Sequence, residues 1–129
     1  MDRIEKRLIF LYSLRKKKVD ELLCEYGLKY EDYQIIRALR YVDGASVEDI
    51  TEEVGRHLTS VQFILQHLID KGYIERNADK IYLTDAIKKI YPQIRKIVKV
   101  ADEEVISHLG YKELDQLINK LDKMIEYYE

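Results

Sequence analysis

Apolar residues recur along this chain with two different periods, and the point where the period changes organises the rest. From position 3 to 26, Ile4, Leu8, Leu11, Tyr12, Val19, Leu22, Leu23 and Tyr26 follow largely helical spacing that stops at Gly27. One long helix is expected there. Residues 30 to 42 put Tyr33, Ile36, Leu39 and Tyr41 or Val42 near one face before Asp43-Gly44 imposes a turn, so a shorter second helix follows. Ser46-Val47-Glu48-Asp49 has the form of a capping box and predicts a helix to Val54. After Gly55 a second capping sequence, Thr59-Ser60-Val61-Gln62, leads into Val61, Ile64, Leu65 and Leu68 at the spacing of one buried stripe. Two short helices joined by a tight connection form a helix-turn-helix.

Past Gly72 the pattern turns extended: Tyr73-Ile74-Glu75-Arg76, a polar tip Asn77-Ala78-Asp79-Lys80, then Ile81-Tyr82-Leu83-Thr84. β-Branched and aromatic residues dominate both arms, which predicts a hairpin. Thr84 or Asp85 is placed to cap a helix running to about Leu109, with Pro92 inside it removing one backbone donor. After Gly110, Leu114, Leu117, Ile118, Leu121, Met124, Ile125 and Tyr128 make a last apolar stripe. The expected fold is therefore mainly α with a small β-hairpin wing: a winged helix-turn-helix at 28–84, an N-terminal dimerisation helix at 1–27 and C-terminal dimerisation helices at 85–129. The terminal stripes exceed what the winged helix needs to cover, and such stripes usually close on a second copy, so a homodimer is expected.

Composition narrows the function. The chain has 129 residues, 36% of them charged, with a net charge of −2, one cysteine and three histidines. This length suits a single domain with helical extensions. A lone Cys24 and the dispersed His57, His67 and His108 make neither a disulfide nor a zinc cluster, so no metal and no cofactor is expected. Cys24 has no nearby cation and reads as a structural or inert thiol. The chain has no glycine-rich phosphate loop, nucleophile motif or carboxylate cluster, so no catalytic residues and no enzyme are expected. It also lacks a signal-peptide core and any apolar run long enough to span a bilayer, which points to a cytoplasmic protein without a membrane partner.

The order of these segments resembles the multiple-antibiotic-resistance regulators, the MarR family of dimeric winged-helix transcription factors. Leu28-Lys29-Tyr30-Glu31-Asp32-Tyr33-Gln34-Ile35-Ile36-Arg37-Ala38-Leu39 resembles the family's second helix, and Ile50 to Gly55 its Leu-Ala-x-x-Leu-Gly. Leu68-Ile69-Asp70-Lys71-Gly72-Tyr73-Ile74-Glu75-Arg76 is similar to Leu-Glu-Lys-Lys-Gly-Leu-Val-x-Arg, Leu83-Thr84 to the close of the wing, and Leu114 to Leu121 to the final dimer helix. The resemblance implies a transcriptional regulator, a repressor or activator, that binds a palindromic operator on double-stranded DNA as a homodimer, with half-sites about one helical turn apart. It also implies a small aromatic effector, for which Tyr12, Tyr30 and Tyr33 lie in the appropriate segments. Where the family usually carries Lys near position 58 and Arg near position 63, this chain has Leu58 and Phe63, and its hairpin tip lacks the family's Asp-x-Arg.

Opposite the buried stripe of the second helix of the motif lie Thr59, Phe63, Gln66 and Asp70, with Gln62 on the flank. Gln62 and Gln66 suit adenine edges, Thr59 and Ser60 phosphates or bases, and Phe63 a thymine methyl. Arg56 and His57 at the turn and Arg76 and Lys80 at the wing are the natural phosphate or minor-groove contacts. Arg76 could equally brace the hairpin through an ion pair, and the run Arg15-Lys16-Lys17-Lys18 is either a further phosphate contact or a solvated face. Residues 45 to 85 hold four basic against eight acidic side chains, so the reading module itself is acidic. The competing expectation is a winged-helix protein-interaction module that has lost DNA binding and docks a partner through Phe63.

Overall fold

A computed structural model describes residues 2–129. The elements are α1 (Asp2–Leu23), a 3-10 turn (Cys24–Tyr26), α2 (Tyr30–Leu39), α3 (Val47–Val54), α4 (Leu58–Asp70), β1 (Ile74–Asn77), β2 (Lys80–Leu83), α5 (Asp85–Leu109) and α6 (Tyr111–Tyr128). The chain divides into two compact units, one ending at Arg95 and one spanning Lys96–Glu129.

In the first unit α2 is the central element, touching α1, α3, α4 and β2. Its apolar positions Ile35, Ile36 and Leu39 are buried together with Val19 and Leu23 of α1, Ile50 of α3, Val61 and Leu68 of α4, Ile81 of β2 and Ile87 of α5. The helical period of each segment thus delivers one face to a common core, and the hairpin seals one edge. β1 and β2 pair antiparallel from Ile74↔Leu83 to Asn77↔Lys80, leaving a two-residue tip in which Ala78 takes a left-handed φ of 57°.

Three boundaries differ from the sequence expectations, each for a local reason. The first helix tightens to a 3-10 turn at Cys24 instead of continuing to Tyr26 as an α-helix. The second ends at Leu39 rather than near 42, because Ala45 already pairs with Ile81: each amide donates to the other's carbonyl, at 3.0 and 2.8 Å. To reach that bridge the chain turns at Gly44, whose φ is +86° and whose missing Cβ would lie 2.6 Å from the Tyr82 ring. The fourth helix begins at Leu58 with His57 as its cap, so Thr59 and Ser60 lie within the first turn and do not cap it. The Thr84 hydroxyl donates to the Gly72 carbonyl at 2.6 Å and ties the base of the hairpin.

The caps of the motif otherwise follow the sequence. The Ser46 hydroxyl accepts from the Asp49 amide at 3.1 Å. Helix α4 ends in a Schellman motif: the Gly72 amide donates to Ile69 O and the Tyr73 amide to Leu68 O, with Gly72 at φ +77°. That reversal delivers β1 directly from the C-terminus of α4.

The N-terminus of α2 is held by two carboxylates, which suits its exposed backbone donors. Asp20 of α1 accepts from the Tyr30 amide at 2.7 Å and Asp32 from the Lys29 amide at 2.8 Å. Asp32 is buried, and desolvation raises its pKa above the ordinary 3.8 against the opposing pull of the Lys29 amide. The unfolded chain therefore ionises first as pH rises. Stability contributed by protonated Asp32 is complete below 3.8 and is lost as pH rises through the elevated folded value. Asp32→Asn, which keeps an oxygen acceptor for Lys29, is expected to remove this loss. Urea titrations at successive pH values check it, and a wild-type-to-variant difference that stays constant across that interval would contradict it.

In the second unit the C-terminal part of α5 leads through Gly110 into α6. No residue of α6 is buried, and Leu117, Ile118, Met124 and Ile125 are exposed along it. Among the described residues no helix is long and apolar enough to cross a membrane.

Candidate nucleic-acid interface

Helix α4 has two chemically distinct sides. Val61, Ile64, Leu65 and Leu68 face the core, and the outward side carries exposed Thr59, Gln62, Phe63 and Gln66, with Ser60 half-buried at its edge. Phe63 is 79% exposed, which is costly for an aromatic ring without a partner, and Leu58, at the start of the helix, is also exposed. Gln66 donates to the Asp70 carboxylate at 2.9 Å. That bond occupies one of the two N–H groups of the amide.

The basic residues expected to flank this face are in different situations. Arg76 and Lys80 lie exposed on the hairpin, and among the described residues no ion pair braces Arg76. His57 is exposed at the helix start. Arg56 is different: its Nε donates to Gln34 Oε1 of α2 at 2.9 Å, and its Nη2 is buried without a hydrogen-bond partner. It is held against the body of the domain rather than presented outward. Gln34 in turn donates to the Tyr30 hydroxyl at 3.3 Å. Of the basic run in α1, Arg15 stacks over the Tyr30 ring and Lys16 pairs with Asp20 at 3.4 Å, leaving Lys17 and Lys18 on the exposed side.

The tyrosine trio separates. Tyr12 is exposed and meets Tyr30 edge-on at 6.0 Å between centroids, whereas Tyr30 and Tyr33 are buried at 6% and 4% exposure. In a single chain the trio presents one accessible ring, with the other two serving the core.

Sequence reading did not pair Gln34 with Arg56, which lies 22 residues further along the chain. It also missed a cleft of about 650 Å³ between α2 and α3. The cleft is lined by Gln34, Arg37 and Tyr41 on one side and Asp49 and Glu53 on the other, over alanine and branched aliphatic side chains. Asp49 and Glu53 are one helical turn apart, which puts both on the same wall.

With this geometry in place, comparisons place the chain among known proteins. A family profile described as sugar-specific transcriptional regulator TrmB matches residues 22–99. A MarR transcriptional regulator from Methanosarcina mazei Go1 superposes with a TM-score of 0.88 at 23% identity, covering 98% of this chain and 89% of that one. MepR of Staphylococcus aureus, in complex with DNA, gives 0.85 at 22% identity, covering 99% and 98%. A MarR family protein of Mycobacterium tuberculosis, in complex with DNA, gives 0.77 at 19% identity over 94% and 96%, and has also been solved with p-aminosalicylic acid. The predicted MarR resemblance and winged-helix class are both met: the fold is the one these regulators share. No curated protein sequence matches the chain.

Proposed function

The chain belongs to the TrmB family of transcriptional regulators, and from that premise we propose that it regulates transcription by reading a palindromic operator on double-stranded DNA as a homodimer. The observation that carries the reading is the outward side of α4. Exposed Gln62, Phe63 and Gln66 stand opposite a buried stripe on the second helix of a helix-turn-helix, the side that enters a major groove in such motifs. In this reading Gln62 and Gln66 hydrogen-bond base edges, Phe63 packs on a thymine methyl, and Thr59, Ser60 and His57 fix the register on phosphates. Arg76 and Lys80 of the hairpin reach the adjacent minor groove. Arg56 joins them only when it leaves Gln34.

Dimerisation is supported by the apolar residues that a single chain leaves uncovered. Ile4, Leu8, Phe10 and Leu11 of α1 and Leu117, Ile118, Met124 and Ile125 of α6 are exposed, more apolar surface than a solvated helix face ordinarily carries. Residues 1–27 and 85–129 act as the dimerising helices and 28–84 as the reading module. An effector of small aromatic type would use the exposed Tyr12 ring and its contact with Tyr30, with Tyr33 supporting the site from the core. The nearby acidic residues of α3, Glu48, Asp49, Glu52 and Glu53, oppose phosphates. The reading therefore requires specificity from amide and methyl contacts with comparatively few cationic ones.

The competing reading is a protein-interaction module that has lost DNA binding, favoured by the exposed apolar side chain of Phe63 in an acidic module. Sedimentation equilibrium and footprinting on genomic fragments separate the two. A mass twice the 15.4 kDa of one chain and a two-fold symmetric protected site are expected. An intact dimer that protects no site would overturn the operator reading.

A further inference from the structure

The face that carries the α2–α3 cleft has opposite charges on its two sides. From Tyr33 to Val42 the chain has two cations, Arg37 and Arg40, and no acid, whereas α3 has four acids, Glu48, Asp49, Glu52 and Glu53, and no cation. All six charged residues are exposed, and among the described residues none of them is in an ion pair. The two arginines are propped on tyrosine rings: Arg37 lies over Tyr33 at 5.4 Å, and Arg40 over both Tyr41 and Tyr91 at 5.4 and 5.3 Å. Contacts of this kind hold a guanidinium plane in place and leave its N–H edge free for a carboxylate. Tyr41 and Val42, 74% and 50% exposed, line the cleft of about 650 Å³ between the charged sides. An apolar centre with charged flanks is the anatomy of a protein interface.

These features select a second copy of the chain over an unrelated partner. A two-fold axis running along the cleft sets α2 of each copy over α3 of the other, so acid meets base twice and each Tyr41 ring covers the other copy's cleft. A uniformly acidic or basic partner would meet like charge on one side of the cleft, which is unfavourable. The small net charge of −2 leaves little general repulsion between copies. We infer that the α2–α3 face is a second, salt-sensitive self-association surface, pairing Arg37 of one copy with Glu53 of the other and carrying Tyr41 at its centre. It uses none of the apolar residues of α1 and α6 assigned to the dimer, and it needs no DNA. Exposed ion pairs are individually weak, so the contact is a transient one that joins dimers at high local concentration. Regulators on neighbouring sites of one duplex then bind cooperatively, a consequence that rests on the operator reading.

Sedimentation velocity of the full chain across a dilution series, without DNA, tests the inference at about 0.1 and 1 M salt, between which the Debye length falls from about 10 Å to about 3 Å. At the lower salt, species heavier than two chains are expected at the higher protein concentrations, and they should dissociate at the higher salt. Arg37→Glu and Glu53→Arg should each weaken this step by about tenfold, and the double variant, which exchanges the two charges, should restore it. Tyr41→Ala should weaken it similarly. All three residues are exposed, so the variants should keep the fold, which circular dichroism checks. A pair that never grows and is indifferent to Arg37→Glu overturns the proposal, as does growth that persists undiminished at the higher salt or that the charge exchange fails to restore. Ile118→Glu on α6 separates the two interfaces and should reduce the heavier species to a pair held by the α2–α3 face. A wild-type pair that Arg37→Glu dissolves and Ile118→Glu does not contradicts the terminal-helix dimer and leaves this inference standing.

Discussion

Leu68→Ala is expected to destabilise the chain by about 2–5 kcal/mol, enough to remove a large part of the total stability of a domain this size. Leu68 is fully buried on α4, where that helix meets α2, α3 and β1, so its removal leaves a cavity bordered by separate elements with little freedom to collapse. Its carbonyl also accepts the Tyr73 amide in the Schellman turn that launches the hairpin. Loss of packing should therefore loosen the wing together with the helix. Urea denaturation followed by circular dichroism measures the loss. A change below about 1 kcal/mol would show that α4 is not anchored as described.

Phe63→Ala, five residues earlier on the same helix, is expected to do the reverse. The ring is 79% exposed, so stability should stay within about 0.5 kcal/mol of the parent. Operator affinity should fall by about 10- to 100-fold, the loss expected when a large aromatic side chain no longer buries its surface on the duplex. Gln66→Ala should act in the same direction and relax discrimination at one base pair. Fluorescence anisotropy with an operator duplex reads both variants. Unchanged DNA affinity in Phe63→Ala, with the fold intact, would transfer Phe63 to a protein partner.

These two residues illustrate how much the sequence reveals. The period of Val61, Ile64, Leu65 and Leu68 alone separates the buried from the exposed side of α4, and the switch to alternation after Gly72 places the hairpin within a residue or two. Both signals are local, repeating with the geometry of a single element. What escapes is set by partners distant along the chain. The one-residue bridge of Ala45 to Ile81 shortens α2, yet neither residue signals the other. Arg56 has the composition and position of a phosphate contact, and only the fold shows that Gln34 holds it. Tyr30 and Tyr33 look like effector-lining aromatics because tyrosine serves equally well in a core and in a crevice, and burial alone distinguishes the roles. Thr59 and Ser60 make a plausible cap, but the extended backbone of His57 starts the helix earlier. The surface chemistry was thus more legible in residue type than in availability.

Despite its acidic reading module, the chain is expected to bind a specific operator through α4. The most direct measurement is its affinity for a two-fold symmetric duplex and for a scrambled duplex of the same composition at about 50 and 200 mM salt. A preference for the symmetric site that persists at both concentrations is expected, with a shallower salt slope than the roughly 6–10 phosphate contacts of strongly basic DNA-binding proteins would give. Equal affinity for the two duplexes, or no binding at the lower salt by an intact dimer, would contradict it.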